Sequence, residues 1–214
     1  MSENDQRMSM GGKHIGILGG TFNPIHNQHL YLAKCAYEQL ALDRVILIPS
    51  GISYLKQGTN VLPSDIRYEM CMIAAKELPY VEVSDIEIKR SGNTYTRDTI
   101  QELLEADSEA VYCFIIGGDT LFMMDKWKDP EYIFKNCRIA VAARKDENDQ
   151  TPEKIRQKIS EYEEKYNASI SILETEVSDL SSRMIRSLAA KGEDISSYVP
   201  AGVAGYIREK GLYR

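Results

Sequence analysis

The apolar positions of the chain fall into short blocks separated by stretches of helical period. Residues 14–18 predict a first strand on the compact apolar run Ile15 to Leu18. Over 26–41 the period changes: Leu30, Ala33, Ala36, Tyr37 and Leu40 recur at helical spacing. Arg44 to Pro49, RVILIP, is apolar nearly throughout, which suits a parallel strand covered on both faces. Strand, helix and strand within about 35 residues form a βαβ unit. The alternation then continues. Ser64 is the expected N-cap of a helix predicted over 64–78, and VEVSDIEI, residues 81–88, alternates as a strand does. Further helices are predicted from Thr96 to Ala106 and over 131–135, 151–166, 181–190 and 199–210. Strands are predicted over 111–116 and 137–143, and from Ile170 to Leu173. Residues 1–12 predict a flexible tail, and 13–214 a single domain with a helical C-terminal part from about 176. The charge-rich stretch 144–167 reads as a solvated face.

This order predicts an α/β fold with a mainly parallel sheet. Ligands of such sheets bind outside the carboxyl ends of the strands. Gly19-Gly20, Pro49-Ser50-Gly51 and Gly117-Gly118-Asp119 follow the first, second and fourth strands, so all three are expected at one crevice.

Composition narrows the function. A chain of 214 residues with 43% hydrophobic and 27% charged residues can bury a proper core. Its net charge of −6 argues against a nucleic-acid partner, which needs a basic face. Cys35, Cys71, Cys113 and Cys137 form no CxxC pair and sit among apolar residues. They are expected as buried reduced thiols in a reducing compartment, not as zinc ligands. The polar N-terminus has no apolar core of a signal peptide, and no apolar run approaches the roughly 18 residues of a membrane span. The expected location is the cytoplasm, with no membrane partner.

Two of the three histidines, His26 and His29, follow the turn Gly19-Gly20-Thr21-Phe22-Asn23-Pro24. Strand, glycine turn and helix start bring backbone N–H groups to an anion, and residues three apart share one side of a helix. The turn lacks the GxxxxGK[ST] of a Walker loop, and HxxH here lacks a neighbouring glutamate for a zinc protease. His14, at the far end of the first strand, reads as structural. Ser181 and Ser182 open a helix, with Arg186 four or five residues on, a combination that suits phosphate oxygens.

GGTFNPIHNQHL resembles the first signature of the nucleotidyltransferases with an HxGH motif, and most closely the nicotinate-nucleotide adenylyltransferases. Arg67-Tyr-Glu-Met70 is similar to the family's RxxM helix, and Arg90 to Thr99 to its RxGxSYTxDT loop. Ile116 to Leu121 with Trp127, Leu180 to Arg186, Val199-Pro200, Tyr206-Ile207 and Gly211 to Tyr213 continue the match in order. The resemblance implies a doubly wound, Rossmann-like sheet with helices on both faces. It implies transfer of the adenylyl group of ATP to nicotinate mononucleotide, with Mg²⁺ on the triphosphate and pyrophosphate leaving. By the same resemblance His26, His29 and Arg186 act on the phosphates, and Gly19, Gly20, Thr21, Phe22, Asp119, Ser181 and Ser182 bind ATP. Lys56, Tyr95, Thr96 and Trp127 then bind the acceptor: Tyr95-Thr96 through backbone N–H groups to a carboxylate, Trp127 by stacking on the pyridine ring. No protein-held metal is expected, and a homo-oligomer is compatible with the resemblance.

Three positions depart from the family pattern. Gln28 replaces the Gly of HxGH, Arg183 stands where a Thr is usual, and Ile52 to Lys56 replaces a PPHK loop and keeps only its lysine. The alternatives these leave are another acceptor, nicotinamide mononucleotide or phosphopantetheine, or a nucleotide-binding module without useful turnover.

Overall fold

The structure is a computed structural model and describes residues 11–51, 61–142, 151–176 and 179–214. Its strands are β1 (His14–Gly20), β2 (Arg44–Pro49), β3 (Val81–Val83), β4 (Val111–Gly117), β5 (Arg138–Ala142) and β6 (Ile170–Leu173). They form one sheet in the order β3-β2-β1-β4-β5-β6. Every neighbouring pair is parallel, so the sheet is wholly and not just mainly parallel. The chain moves outward from β1 to β3, returns to pair β4 against β1, and then moves outward the other way. The order therefore reverses between β1 and β4, where a crevice opens in sheets of this kind.

Side chains alternate across the sheet and feed two cores. Val45 and Leu47 of β2 and Cys113 and Ile115 of β4 join one core. Ile46, Ile48, Phe114 and Ile116 join the other. The first core is covered by α1 (Asn27–Gln39), α2 (Ser64–Ala75), α8 (Ser182–Ala190) and α9 (Ala201–Glu209), through residues such as Ala33, Met70, Ile185 and Val203. The second is covered by α4 (Thr96–Ala106), α6 (Pro130–Asn136) and α7 (Pro152–Tyr166), through Ile100, Ile133 and Ile159. Strands buried on both faces need helices on both, which is the doubly wound arrangement. All four cysteines are buried thiols, as expected.

Two short helices are also present among the described residues, α3 (Ile86–Lys89) and α5 (Gly118–Leu121). The first of them corrects the strand expected over 81–88. That strand ends at Val83: the Ser84 N–H donates to the Leu47 carbonyl as the last rung, and the Ser84 hydroxyl then accepts from the Ile86 N–H. The Asp85 carbonyl accepts from both Ile88 and Lys89, closing a helical turn. The polar helix expected over 151–166 is present, but Ile155, Ile159 and Tyr162 form a buried stripe, with the Tyr162 hydroxyl donating to the Leu121 carbonyl at 3.0 Å. The tail expected over 1–12 lies, but for Gly11 and Gly12, outside the described residues, as do 144–150 of the charged stretch.

Candidate active site

The carboxyl ends of β1 and β4 border a cleft of about 390 Å³ at the reversal point. Gly19, Gly20 and Thr21 line it from β1, and Ile116, Gly117 and Asp119 from β4. A Cβ on Gly117 would come within 2.7 Å of the Asp119 carboxylate, so this glycine makes the room that lets Asp119 fold back over the strand end. Beyond Gly20 the Ser50 N–H donates to the Gly20 carbonyl at 2.8 Å, which joins the β2 turn to the same rim. The three glycine-bearing strand ends expected at one crevice do meet there.

The turn after β1 sets the histidines. Phe22 is buried with a left-handed φ of 47°, and Asn23–Pro24 is a cis peptide bond. His26 is the N-cap of α1, with extended backbone, and is buried. Its N–H donates to Nδ1 of His29 at 3.2 Å, and the two rings stack with centroids 3.7 Å apart. Phe22 meets His29 edge-on at 5.0 Å. An Nδ1 that accepts is unprotonated, so the neutral ring of His29 carries its proton on Nε2. His29 lines the cleft, whereas His26 lies behind it as the packing partner of His29. Gln28, between them, is the second residue of the helix, half-buried and not part of the cleft wall.

Arg67 holds this region from behind. It is buried, and its guanidinium donates to three carbonyls: Nη1 to Thr21 at 2.7 Å, Nη2 to Ser50 at 2.7 Å and Nε to Leu62 at 2.9 Å. Burial lowers its pKa from the ordinary value, but a guanidinium remains charged.

The C-terminal helices reach the other side of the turn. Ser181 caps α8 by accepting from the Met184 N–H at 3.3 Å. The Ser182 hydroxyl donates to the Pro24 carbonyl at 2.8 Å, and Arg186 Nη1 donates to the Asn23 carbonyl at 2.8 Å. The Tyr213 hydroxyl donates to Asn23 Oδ1 at 2.9 Å; burial raises its pKa, against the pull of Arg186 and Arg67. Ser182 and Arg186 thus gather on Asn23–Pro24, with Ser181 at the cap of the same helix and all three outside the cleft wall itself.

The far end of the cleft is built on the start of α4. Tyr95 is its N-cap and Thr96 its first residue. N–H groups at this point of a helix have no partner inside it. Trp127 lines the same end, edge-on to Phe114 at 6.0 Å. Lys128 bridges the two segments: its ammonium lies 2.9 Å from Asp98 Oδ2 and 4.7 Å from the Tyr95 ring centroid. Lys56 lies outside the described residues.

Sequence reasoning missed Glu87, Thr94 and Lys128, all in the cleft wall. Lys128 was signalled by its place beside the single tryptophan. Glu87 was hidden by the assignment of 81–88 to a strand. Among the described residues, no group of three His, Cys, Asp or Glu is arranged to hold a metal ion, and no helix is long and apolar enough to cross a membrane.

Comparison with known proteins gives consistent results. A family model described as cytidylyltransferase-like matches residues 17–188. A protein of Lachnoclostridium phytofermentans named a probable nicotinate-nucleotide adenylyltransferase is 40% identical over 94% of this chain and 99% of its own. A protein of the same name from Clostridium beijerinckii is 36% identical over 94% of this chain and 100% of its own. The solved structure of Plasmodium falciparum nicotinic acid mononucleotide adenylyltransferase complexed with NaAD superposes with a TM-score of 0.73, covering 94% of this chain and 97% of that one. At 19% identity, that likeness speaks for the fold.

Proposed function

The chain belongs to the nicotinate-nucleotide adenylyltransferases, within the cytidylyltransferase-like family, and from that membership we propose the reaction and the roles of its residues. It transfers the adenylyl group of ATP to nicotinate mononucleotide, giving nicotinate adenine dinucleotide and pyrophosphate, a step of NAD biosynthesis. The observation that carries this reading is the two-ended cleft. One end offers strand-end backbone, His29 and Asp119; the other offers a helix start beside a tryptophan.

In the reaction a 5′-phosphate oxygen of the acceptor bonds to the α-phosphorus of ATP. The bond from that phosphorus to the oxygen bridging to the β-phosphate breaks, and its electron pair leaves with pyrophosphate. No protein nucleophile is needed, so the protein's work is positioning and charge stabilisation. His29 donates from Nε2 to an α-phosphate oxygen as charge builds. His26 keeps that ring oriented through its N–H and its stacked ring. Gly19 to Phe22 supply backbone along the nucleotide, and Asp119 accepts from a ribose hydroxyl. Arg186 keeps one donor on Asn23 and turns the rest of its fork to the β- and γ-phosphates, beside Ser181 and Ser182.

At the other end the Tyr95-Thr96 backbone receives the pyridine carboxylate, and Trp127 stacks on the ring. Backbone N–H groups favour an acid over an amide, because a carboxylate accepts at both oxygens. Mg²⁺ would enter with the triphosphate, held by phosphates and water, since Asp119 is given to the ribose hydroxyl. It would neutralise charge on the triphosphate. Buried thiols fit the cytoplasm as the place of the reaction.

The test is to incubate the protein with ATP, Mg²⁺ and, in turn, nicotinate mononucleotide, nicotinamide mononucleotide and phosphopantetheine, while following pyrophosphate and dinucleotide. Release with nicotinate mononucleotide at least tenfold above the other two supports the reading. Release with another acceptor changes the substrate, and ATP binding without release from any acceptor leaves only a nucleotide-binding module.

A further inference from the structure

Among the described residues, Glu87 is the one acidic side chain in the wall of the acceptor end of the cleft, and none of the roles above uses it. The residue is half-buried, between the start of α4 and the end of β2. The Thr99 hydroxyl of α4 donates to Oε1 at 2.8 Å. Burial raises the pKa of Glu87, and the Thr99 and Thr94 side chains, the Arg90 charge and the Gly51 backbone at the end of β2 each pull it back. The backbones are equally close: a Cβ on Gly51 would lie 2.3 Å from the Glu87 carbonyl oxygen and 2.9 Å from Thr94 Cγ2. Only glycine lets the β2 turn come this near. Arg90 completes the group, with Nη1 on the Thr99 hydroxyl at 3.2 Å and Nε on Glu102 at 2.7 Å. Thr94 and Thr99 are both buried.

We propose that Glu87 is a positioning residue for acceptor recognition: by holding Thr99 of α4 on its carboxylate where the Gly51 and Thr94 segments pack closest, it fixes the Tyr95–Thr96 backbone that receives the pyridine carboxylate. This rests on the proposed role of Tyr95 and Thr96. Glu87 acts without touching the acceptor. One of its oxygens is taken by the Thr99 hydroxyl, and Arg90 from its own segment and Arg67 from α2 offset its charge. A second anion can therefore bind nearby without facing an uncompensated carboxylate.

The chemistry of the partners separates Glu87→Ala from Glu87→Gln. A glutamine keeps one acceptor oxygen beside the Gly51 backbone. Its amide can donate to Thr94 and Thr99, whose hydroxyls can turn to accept, and Thr99 then donates to the Tyr95 carbonyl, already 3.3 Å away. Alanine removes the whole junction.

The experiment is steady-state kinetics and amide hydrogen exchange on both variants. Glu87→Ala should raise KM for nicotinate mononucleotide at least tenfold, with KM for ATP and kcat each within threefold. Exchange over Thr94–Thr99 should speed by tenfold or more, while that over Gly19–His29 stays unchanged. Glu87→Gln should recover most of both effects. Parallel rises in both KM values, unchanged exchange over Thr94–Thr99, or a glutamine variant as impaired as the alanine one would each overturn the proposal. Exchange needs no acceptor, so it tests the positioning separately from the reading. Loosened Thr94–Thr99 amides in a protein whose wild type makes no dinucleotide from nicotinate mononucleotide would uphold the positioning and remove the acceptor.

Discussion

His29 has a divided task. Nδ1 accepts from the His26 N–H at the helix start, which ties the ring to α1 and sets its tautomer. With Nδ1 accepting, Nε2 is the donor of the neutral ring, the atom that the proposed mechanism turns to the phosphate. Removing one such donor costs about 10²–10³ in kcat where it acts on charge that develops in the transition state. His29→Ala should therefore lower kcat by roughly 10²–10³, measured at saturating ATP and acceptor. A loss below about threefold, or about 0.7 kcal/mol, would take His29 out of the chemistry. The sequence announced both histidines by their place after a glycine turn. It did not announce their division of labour, because that depends on an N-cap backbone that stacks one ring on the other.

At the scale of elements, most boundaries were legible because hydrophobic period and burial agree. β2 and β5 are continuous apolar runs, and both are buried. The exception, 81–88, shows why period alone fails in short segments. VEVSDIEI alternates, but the third strand lies at the sheet edge, and two polar residues with local hydrogen-bonding choices turned the chain into α3. That turn carries Glu87 into the cleft wall, so the misread element concealed a site residue.

α1 allows a sharper test of the largest departure from the family motif. Gln28 sits in its first turn, half-buried and away from the cleft wall. Gln28→Gly should then act on the helix and not on the ligand. Glycine costs up to about 1 kcal/mol in helices relative to good formers, and less near an end. The expected outcome is a small fall in urea midpoint, with KM for ATP within about threefold, a difference of about 0.7 kcal/mol. A tenfold gain in ATP affinity would instead show that the glutamine obstructs the nucleotide.

The whole molecule depends on holding the ends of separate strands in one rim, and Arg67 does this from a single buried position. Its three acceptors, Leu62, Ser50 and Thr21, are 5, 17 and 46 residues away, so no local pattern could reveal the junction. The sequence showed only an arginine in a helix motif similar to RxxM, with no sign that its partners were carbonyls. In Arg67→Met the side chain keeps much of its volume, but three carbonyls lose their donor. Leaving buried polar groups without partners costs about 1–3 kcal/mol each where water cannot reach them, and the rim here is half open. A loss of about 2–4 kcal/mol in unfolding free energy is expected, which for a chain of this size lowers Tm by roughly 5–12 °C. Thr21 and Ser50 would also be released, and Thr21 lines the nucleotide end of the cleft. KM for ATP should therefore rise along with the loss of stability, by about tenfold or about 1.4 kcal/mol. Arg67→Lys, with one charged centre in place of a fork, should recover part of the stability and little of the affinity. Urea unfolding and ATP kinetics on both variants check this. If Arg67→Met lost stability but kept its KM for ATP, the arginine would be a core support with no part in shaping the nucleotide rim.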